Sequence, residues 1–474
     1  MTLSKVIPLH KEGPKDSFNN YRPIAITSSI GKLIEKIVCE QLCSYLDSND
    51  ILSNNQYGFR TNHSISHPLL HFSKQVLDSL SNNKLNLCIF IDLKKAFDTV
   101  DLDILLNKLF HYGIKGRELK FFKNYLKRTQ QVFTGKTISE IISMICGIPQ
   151  GTVLGPILFI LFINDLPLAM ALFCQLFPDD YTLQVEGVSI EELINSATIE
   201  LAKAEEWFLH NKLTLNLKKT KFCVFGNNMS EIKNIPDLAI SGTSIDRIGY
   251  QQAEKAVRFL GLWVGDCGNF SYHIEKLKAK LNMGLYSLAS SKDNSPLRIR
   301  LNIYRALFES HLRIANIVYG SASERKLSEV FILQKKAVRH VKKTFYLAHT
   351  DPIFLELKIL KLSDLILHSR SCIVHQWRLG FLPRSFNRNY FTFISEEESG
   401  RRDDPLCLQI PANLLKNLTR SPYVQICKAW NSIPYDIKLI AKHSVFKRAL
   451  ADYLISKYNS ICTVDKCRAC IHSF

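Results

Sequence analysis

Leu85-Asn86-Leu87-Cys88-Ile89-Phe90-Ile91-Asp92, and farther along Phe177-Pro178-Asp179-Asp180, decide how this chain is read. The first stretch is almost continuously apolar until it ends on a carboxylate. A strand buried on both faces has that composition, and an unpaired charge at its end is unfavourable to bury. The second sets an acidic pair between Met170–Phe177 and Tyr181–Val185, which read as strands joined by a two-residue turn. Acidic residues in a turn alone are common; together with a carboxylate closing a buried strand they are not. Clustered carboxylates repel one another unless a cation neutralises them, and hard divalent cations take oxygen ligands. Asp92, Asp179 and Asp180 are thus candidate ligands of a two-metal phosphoryl-transfer site of the kind a nucleic-acid polymerase needs.

Bulk properties agree. The chain has 474 residues, 46% hydrophobic and 22% charged, with a net charge of +18. That length supports two to three domains, and the positive surplus points to a polyanionic partner. Val153–Phe177 is the longest apolar region, but Pro156, Asn164-Asp165 and Pro167 interrupt it, so no membrane span is expected. No signal peptide is evident. The 13 cysteines sit mostly singly in apolar runs, which suits reduced thiols in the nucleus and cytoplasm.

Helical spacing runs from Ile30 to Leu46, from Leu102 to Phe110 with Asp101 as cap and Gly113 beyond the end, and from Ser189 to Leu209. Gly147-Ile148-Pro149-Gln150-Gly151-Thr152 joins a glycine-punctuated loop to an apolar helix, Ile157–Ile163. Glycines there let backbone approach a ligand, and a purely structural loop fits the segment equally well. Beyond about residue 265 the pattern is helical and rich in lysine and arginine, with Glu396–Asp404 as an exposed linker.

Taken in order, Asn20-Tyr21-Arg22-Pro23-Ile24, Gln56-Tyr57-Gly58-Phe59-Arg60, Phe90–Asp98, Pro149-Gln150-Gly151, Phe177–Asp180, Asn211-Lys212-Leu213 to Lys219-Thr220-Lys221 and Phe259-Leu260-Gly261 resemble the reverse transcriptases of non-LTR, LINE-type, jockey-like retrotransposons. The resemblance extends through Leu333–Arg339 and Ala429-Trp430-Asn431-Ser432-Ile433-Pro434, a pattern that speaks against a group II intron maturase or a telomerase-like enzyme. It implies an α+β right-hand polymerase: fingers and palm over 1–265 with an antiparallel palm sheet, a helical thumb over 266–345, and a helical C-terminal region over 346–474. It implies RNA-directed DNA polymerase activity with an RNA template, a DNA primer, deoxynucleoside triphosphates and two Mg2+ ions held by Asp92, Asp179 and Asp180. Lys11, Arg22 and Arg60 would meet the triphosphate. Phe97 would exclude a ribose 2′-hydroxyl, and Gln150 and Gly151 would lie against the incoming nucleotide. Lys276, Lys278, Lys280, Lys335, Lys336, Arg339, Lys342 and Lys343 would follow the template–primer backbone.

Three departures qualify the resemblance. The family has a small residue where Pro178 stands. Proline fixes φ near −65° and lacks an N–H, whereas two-residue hairpin turns favour positive φ at their first position. The turn is expected to change type and to splay its strands, leaving as an alternative a decayed nucleic-acid-binding relic. No endonuclease region precedes Lys11, so a truncated element unable to nick DNA by itself is expected. Cys462, Cys467, Cys470 and His472 lack the spacing of a clean zinc knuckle, and zinc is not expected there.

Overall fold

The computed structural model describes residues 3–459 apart from 136, 229–231, 233–234, 250–251, 267–269, 395–403, 413 and 417. The Cys462, Cys467, Cys470 and His472 group lies outside the described residues, as does nearly all of the expected linker. The chain separates into two units built from interleaved segments. The first takes Met1–His63, Leu87–Phe222 and Lys233–Arg247; the second takes Ser64–Asn86, Cys223–Ile232 and Ile248–Phe474. These units cut across the expected division at residue 265.

The strands of the two larger sheets are β1 (Leu3–His10), β2 (Tyr21–Ile26), β3 (Leu85–Asp92), β4 (Thr129–Val132), β5 (Ile142–Ser143), β6 (Phe173–Phe177), β7 (Asp180–Gly187), β8 (Lys221–Phe225), β9 (Leu238–Ile240) and β10 (Thr243–Arg247). One sheet has the order β2-β1-β4-β5 and the other β6-β7-β3-β8-β10-β9. β3 lies inside the larger sheet, and Leu85 to Ile91 are all buried while Asp92 is half-buried. The apolar run therefore forms the two-sided strand its composition demands. Asp101 caps the helix Leu102–His111 by accepting from the backbone N–H groups of Asp103 and Ile104. Gly113 follows it at φ +88°, a conformation glycine tolerates. Gly155–Phe162 is a helix buried along its length except at Pro156, which occupies the first turn where no N–H is needed. The helix Ser29–Ser48 is capped by the Ser28 hydroxyl and buries Glu35.

The second unit is mainly helical. Its longer helices include Ser66–Ser81, Ser271–Ser291, Glu324–Lys342, Leu362–Arg378, Pro422–Asn431 and His443–Ser456. Ser66–Ser81 packs on Pro422–Asn431, so a segment expected among the fingers belongs with the C-terminal helices. The Trp430-Asn431 motif is an anchor there. The Trp430 indole N–H donates to the Leu406 carbonyl at 2.7 Å, and the Asn431 amide exchanges two hydrogen bonds with the Leu408 backbone. Among the described residues no helix is long and apolar enough to cross a membrane. The α+β class is as expected.

Candidate active site

Asp92 closes β3 and is held there by residues 216–220, which lead into β8. Its Oδ2 accepts from Asn216 Nδ2 at 2.8 Å, its carbonyl accepts from the Asn216 N–H at 2.8 Å, and its own N–H donates to Thr220 Oγ1 at 3.4 Å. Burial pushes the Asp92 carboxyl above the usual carboxylate range; the Asn216 hydrogen bond and Lys219 pull it down, Asp179 pushes it up, and Lys11 pulls it down. Asp92 is therefore within electrostatic reach of Asp179, at the tip of the β6–β7 hairpin, and of two lysines far apart in sequence. Lys11 and Lys219 each lie 3.9 Å from a carboxylate oxygen of Glu12.

The divalent-metal expectation can be judged on these donors. Two mutually repelling carboxylates with cations gathered around them suit a hard cation, so Asp92 and Asp179 fit. Among the described residues, however, no group of three or more Asp, Glu, His or Cys side chains is placed to hold a metal ion. The expected trio is not assembled as a trio. Asp179 is exposed in the turn, whereas Asp180 is the half-buried first residue of β7.

The turn itself corrects one expectation. Neither Pro178 nor Asp179 has positive φ, so the turn has changed type as the proline requires. The strands have not splayed: antiparallel pairing runs unbroken from Phe173↔Gln184 to Phe177↔Asp180.

Gln150 is held from two directions. Its Nε2 donates to Asp98 Oδ1 at 2.8 Å, and its carbonyl accepts from the Ala25 N–H at 2.7 Å. Gly151, at φ +94°, follows where a Cβ would lie 2.9 Å from the Ala25 carbonyl oxygen. Burial raises the Asp98 carboxyl, and the Gln150 hydrogen bond and Lys95 oppose it. Beyond the loop, the Val153 N–H donates to Glu35 Oε2 at 2.7 Å, and Glu35 Oε1 accepts from Arg128 at 3.2 Å. Arg128 stacks over the Tyr125 ring at 3.7 Å. Phe97 is half-buried and stacked on the buried Phe159 ring at 4.3 Å, so one face is fixed by the core.

The remaining expected residues separate. Lys11 is exposed within the charged group around Asp92. Arg22 is exposed on β2, opposite Leu9 of β1. Arg60 donates to the carbonyls of Ser53 at 2.8 Å and Gln56 at 3.4 Å, which makes it a brace for its own loop. Sequence reasoning gave no role to Asn216, Lys219, Glu35 or Arg128. Lys219 stood in a motif that was recognised, but nothing local linked it to Asp92.

In the second unit several of the expected backbone-tracking cations have protein partners. Lys278 lies 2.5 Å from Glu329, and Lys342 pairs with Glu356. Arg339 donates to the Ala348 carbonyl at 2.8 Å and Lys343 to that of Asp293 at 3.1 Å. Lys276 sits over Trp263 and Tyr272, and Lys335 over Phe331. Lys280 and Lys336 are exposed.

Residues 10–264 match the family described as "Reverse transcriptase (RNA-dependent DNA polymerase)". The chain is 24% identical over 383 residues to the RNA-directed DNA polymerase from mobile element jockey of Drosophila melanogaster, covering 76% of this chain and 40% of that protein. It is 25% identical over 359 residues to the probable RNA-directed DNA polymerase from transposon BS of the same organism, covering 72% and 38%. It thus spans about 40% of the length of these curated relatives. Telomerase from Candida tropicalis aligns over 78% of this chain and 65% of its own, at 10% identity and a TM-score of 0.41.

Proposed function

The chain belongs to the reverse transcriptase (RNA-dependent DNA polymerase) family, and we propose that it is the RNA-directed DNA polymerase of a non-LTR, jockey-like retrotransposon. The observation that carries the reading is Asp92, at the end of its buried strand, lying within the field of Asp179 on the hairpin tip. The substrates would be an RNA template, a DNA primer and deoxynucleoside triphosphates, handled in the nucleus and cytoplasm as a ribonucleoprotein.

Asp92 and Asp179 would hold two Mg2+ ions, with Asp180 following in the chain. When bound, such ions favour the primer alkoxide and neutralise the departing pyrophosphate. Asn216 fixes the Asp92 carboxylate by its hydrogen bond. Lys11 and Lys219 add positive charge where a triphosphate would lie, and Arg22 is exposed to add more. Asp98 orients the Gln150 amide, which leaves the loop preorganised for the nucleotide. Phe97, fixed on Phe159, would stand against a ribose 2′-hydroxyl.

The test is deoxynucleotide incorporation on a primed RNA template with Mg2+, against an Asp179→Asn control. Incorporation well above the control is expected. Incorporation equal to the control overturns the polymerase reading, and a positive gel shift in the same preparation would then select a nucleic-acid-binding relic.

A further inference from the structure

The β6–β7 turn has a neighbour that changes the meaning of its proline. Pro178 is buried. A Cβ built on Gly58 would lie 2.1 Å from Pro178 Cδ, 2.4 Å from Cγ and 2.7 Å from its nitrogen. Gly58 is not in a left-handed conformation, so an alanine could adopt its backbone angles. Space alone excludes a side chain. Gly58 cannot easily retreat either. Leu176 of β6 donates to the Asn55 carbonyl and accepts from the Tyr57 N–H, both at 2.9 Å, so Asn55–Tyr57 runs along the outer edge of β6. The Gly58 N–H donates to the buried Gln56 Oε1 at 2.8 Å. The proline ring therefore seats against a braced glycine. Having no N–H, Pro178 also places no donor in that buried position, where an alanine would need a partner for its own.

We propose that Gly58 and Pro178 form a positioning contact that fixes the turn presenting Asp179. The residue that departs from the family pattern is matched by the space opposite it. The consequence for catalysis rests on the polymerase reading above; the contact itself does not.

The experiment uses the full chain in four forms: unchanged, Gly58→Ala, Pro178→Ala and the double variant. Amide hydrogen exchange across residues 179–182 is read alongside kcat and the deoxynucleotide KM. Gly58→Ala should speed exchange in the turn by about tenfold or more. It should lower kcat by about a hundredfold, the effect of a displacement near 1 Å, and leave KM within about threefold. The double variant removes Cδ and Cγ and should recover about threefold of the exchange loss and about tenfold of the kcat loss. Recovery stays incomplete because the residue 178 nitrogen is still 2.7 Å from the new Cβ. Pro178→Ala alone should also speed turn exchange, which serves if Gly58→Ala does not fold. Unchanged exchange in both single variants, or a double variant no better protected than Gly58→Ala, overturns the contact. An unchanged chain that never extends a primer overturns the polymerase reading instead, and the exchange measurements still decide the contact.

Discussion

Glu35 and Arg128 are the strongest test of how the Gln150 loop is held. Their side chains are 6% and 5% exposed, so both charges are desolvated and each depends on the other. Glu35→Gln keeps an oxygen for the Val153 N–H but leaves Arg128 as a buried cation without a counter-charge. Breaking a buried pair in this way costs about 3–5 kcal/mol. The lower figure applies because Arg128 retains the Tyr125 carbonyl, 2.7 Å from its Nε, and the Tyr125 ring. For a unit of this size ~3 kcal/mol corresponds to about 6–12 °C in the melting transition that contains it. Glu35→Leu also strands the Val153 N–H, adding about 1–3 kcal/mol, and should raise the deoxynucleotide KM as the loop loosens. Glu35→Leu combined with Arg128→Met removes both charges and should recover part of the loss, since apolar replacement of a whole pair is often neutral. Thermal melts of the four proteins by circular dichroism decide the matter. A Glu35→Gln protein melting within about 2 °C of the unchanged chain would refute the reasoning, as would a double variant less stable than Glu35→Leu.

Three further outcomes follow from contacts described above. Phe97→Ala should raise ribonucleotide use relative to deoxynucleotide by about tenfold or more in kcat/KM; an unchanged ratio means the ring is only core packing on Phe159. Lys280→Ala with Lys336→Ala should reduce the salt slope of nucleic-acid binding by about 2, whereas Lys278→Ala, already paired with Glu329, should leave it unchanged. Equal slope changes for all three lysines would contradict the assignment of partners. Burial pushes His71, His273 and His443 of the second unit down to about 3, about 4 and about 4. Unfolded, each titrates near ~6.5, so the unfolded state binds the extra protons as the solution acidifies. The stability from keeping these rings neutral is full above pH ~6.5 and is lost as pH falls toward ~4. The urea midpoint of the second unit should therefore drop between about pH 7.5 and 5, and a flat or rising midpoint would refute this.

Local signals were legible wherever burial and capping repeat along the chain. The β3 run, the Asp101 cap, Gly113 and the buried Gly155–Phe162 helix all came from patterns within a dozen residues. What could not be read depends on partners distant in sequence. Glu35 meets Arg128 and Val153 only after folding, and nothing local distinguishes it from Glu40, which is exposed on the same helix. Lys278 and Lys280 are indistinguishable by composition, yet one faces Glu329. Arg60 sits in a recognised motif, but its guanidinium turns back on its own loop. At Pro178 the change of turn type was legible but the intact strand pairing was not, and Gly58, which leaves room for the ring, lies 120 residues away. The helix Ser66–Ser81 was missed although Pro68 and the Leu69-Leu70 pair were visible; His67 and His71, which are buried there, masked its apolar face.

The interleaving of the two units bears on synthesis and on fragment design. Helix Ser66–Ser81 is made well before its partners: His71 meets Phe386 and Tyr390, and Lys74 lies over the rings of Tyr390 and Tyr423. Those partners lie roughly 300 residues farther along the chain, so a greasy surface stands waiting while the intervening segment is made. A fragment trimmed to residues 10–264, the family-matched stretch, would keep that helix and discard what covers it. Such a piece should aggregate unless the C-terminal helices are supplied in trans.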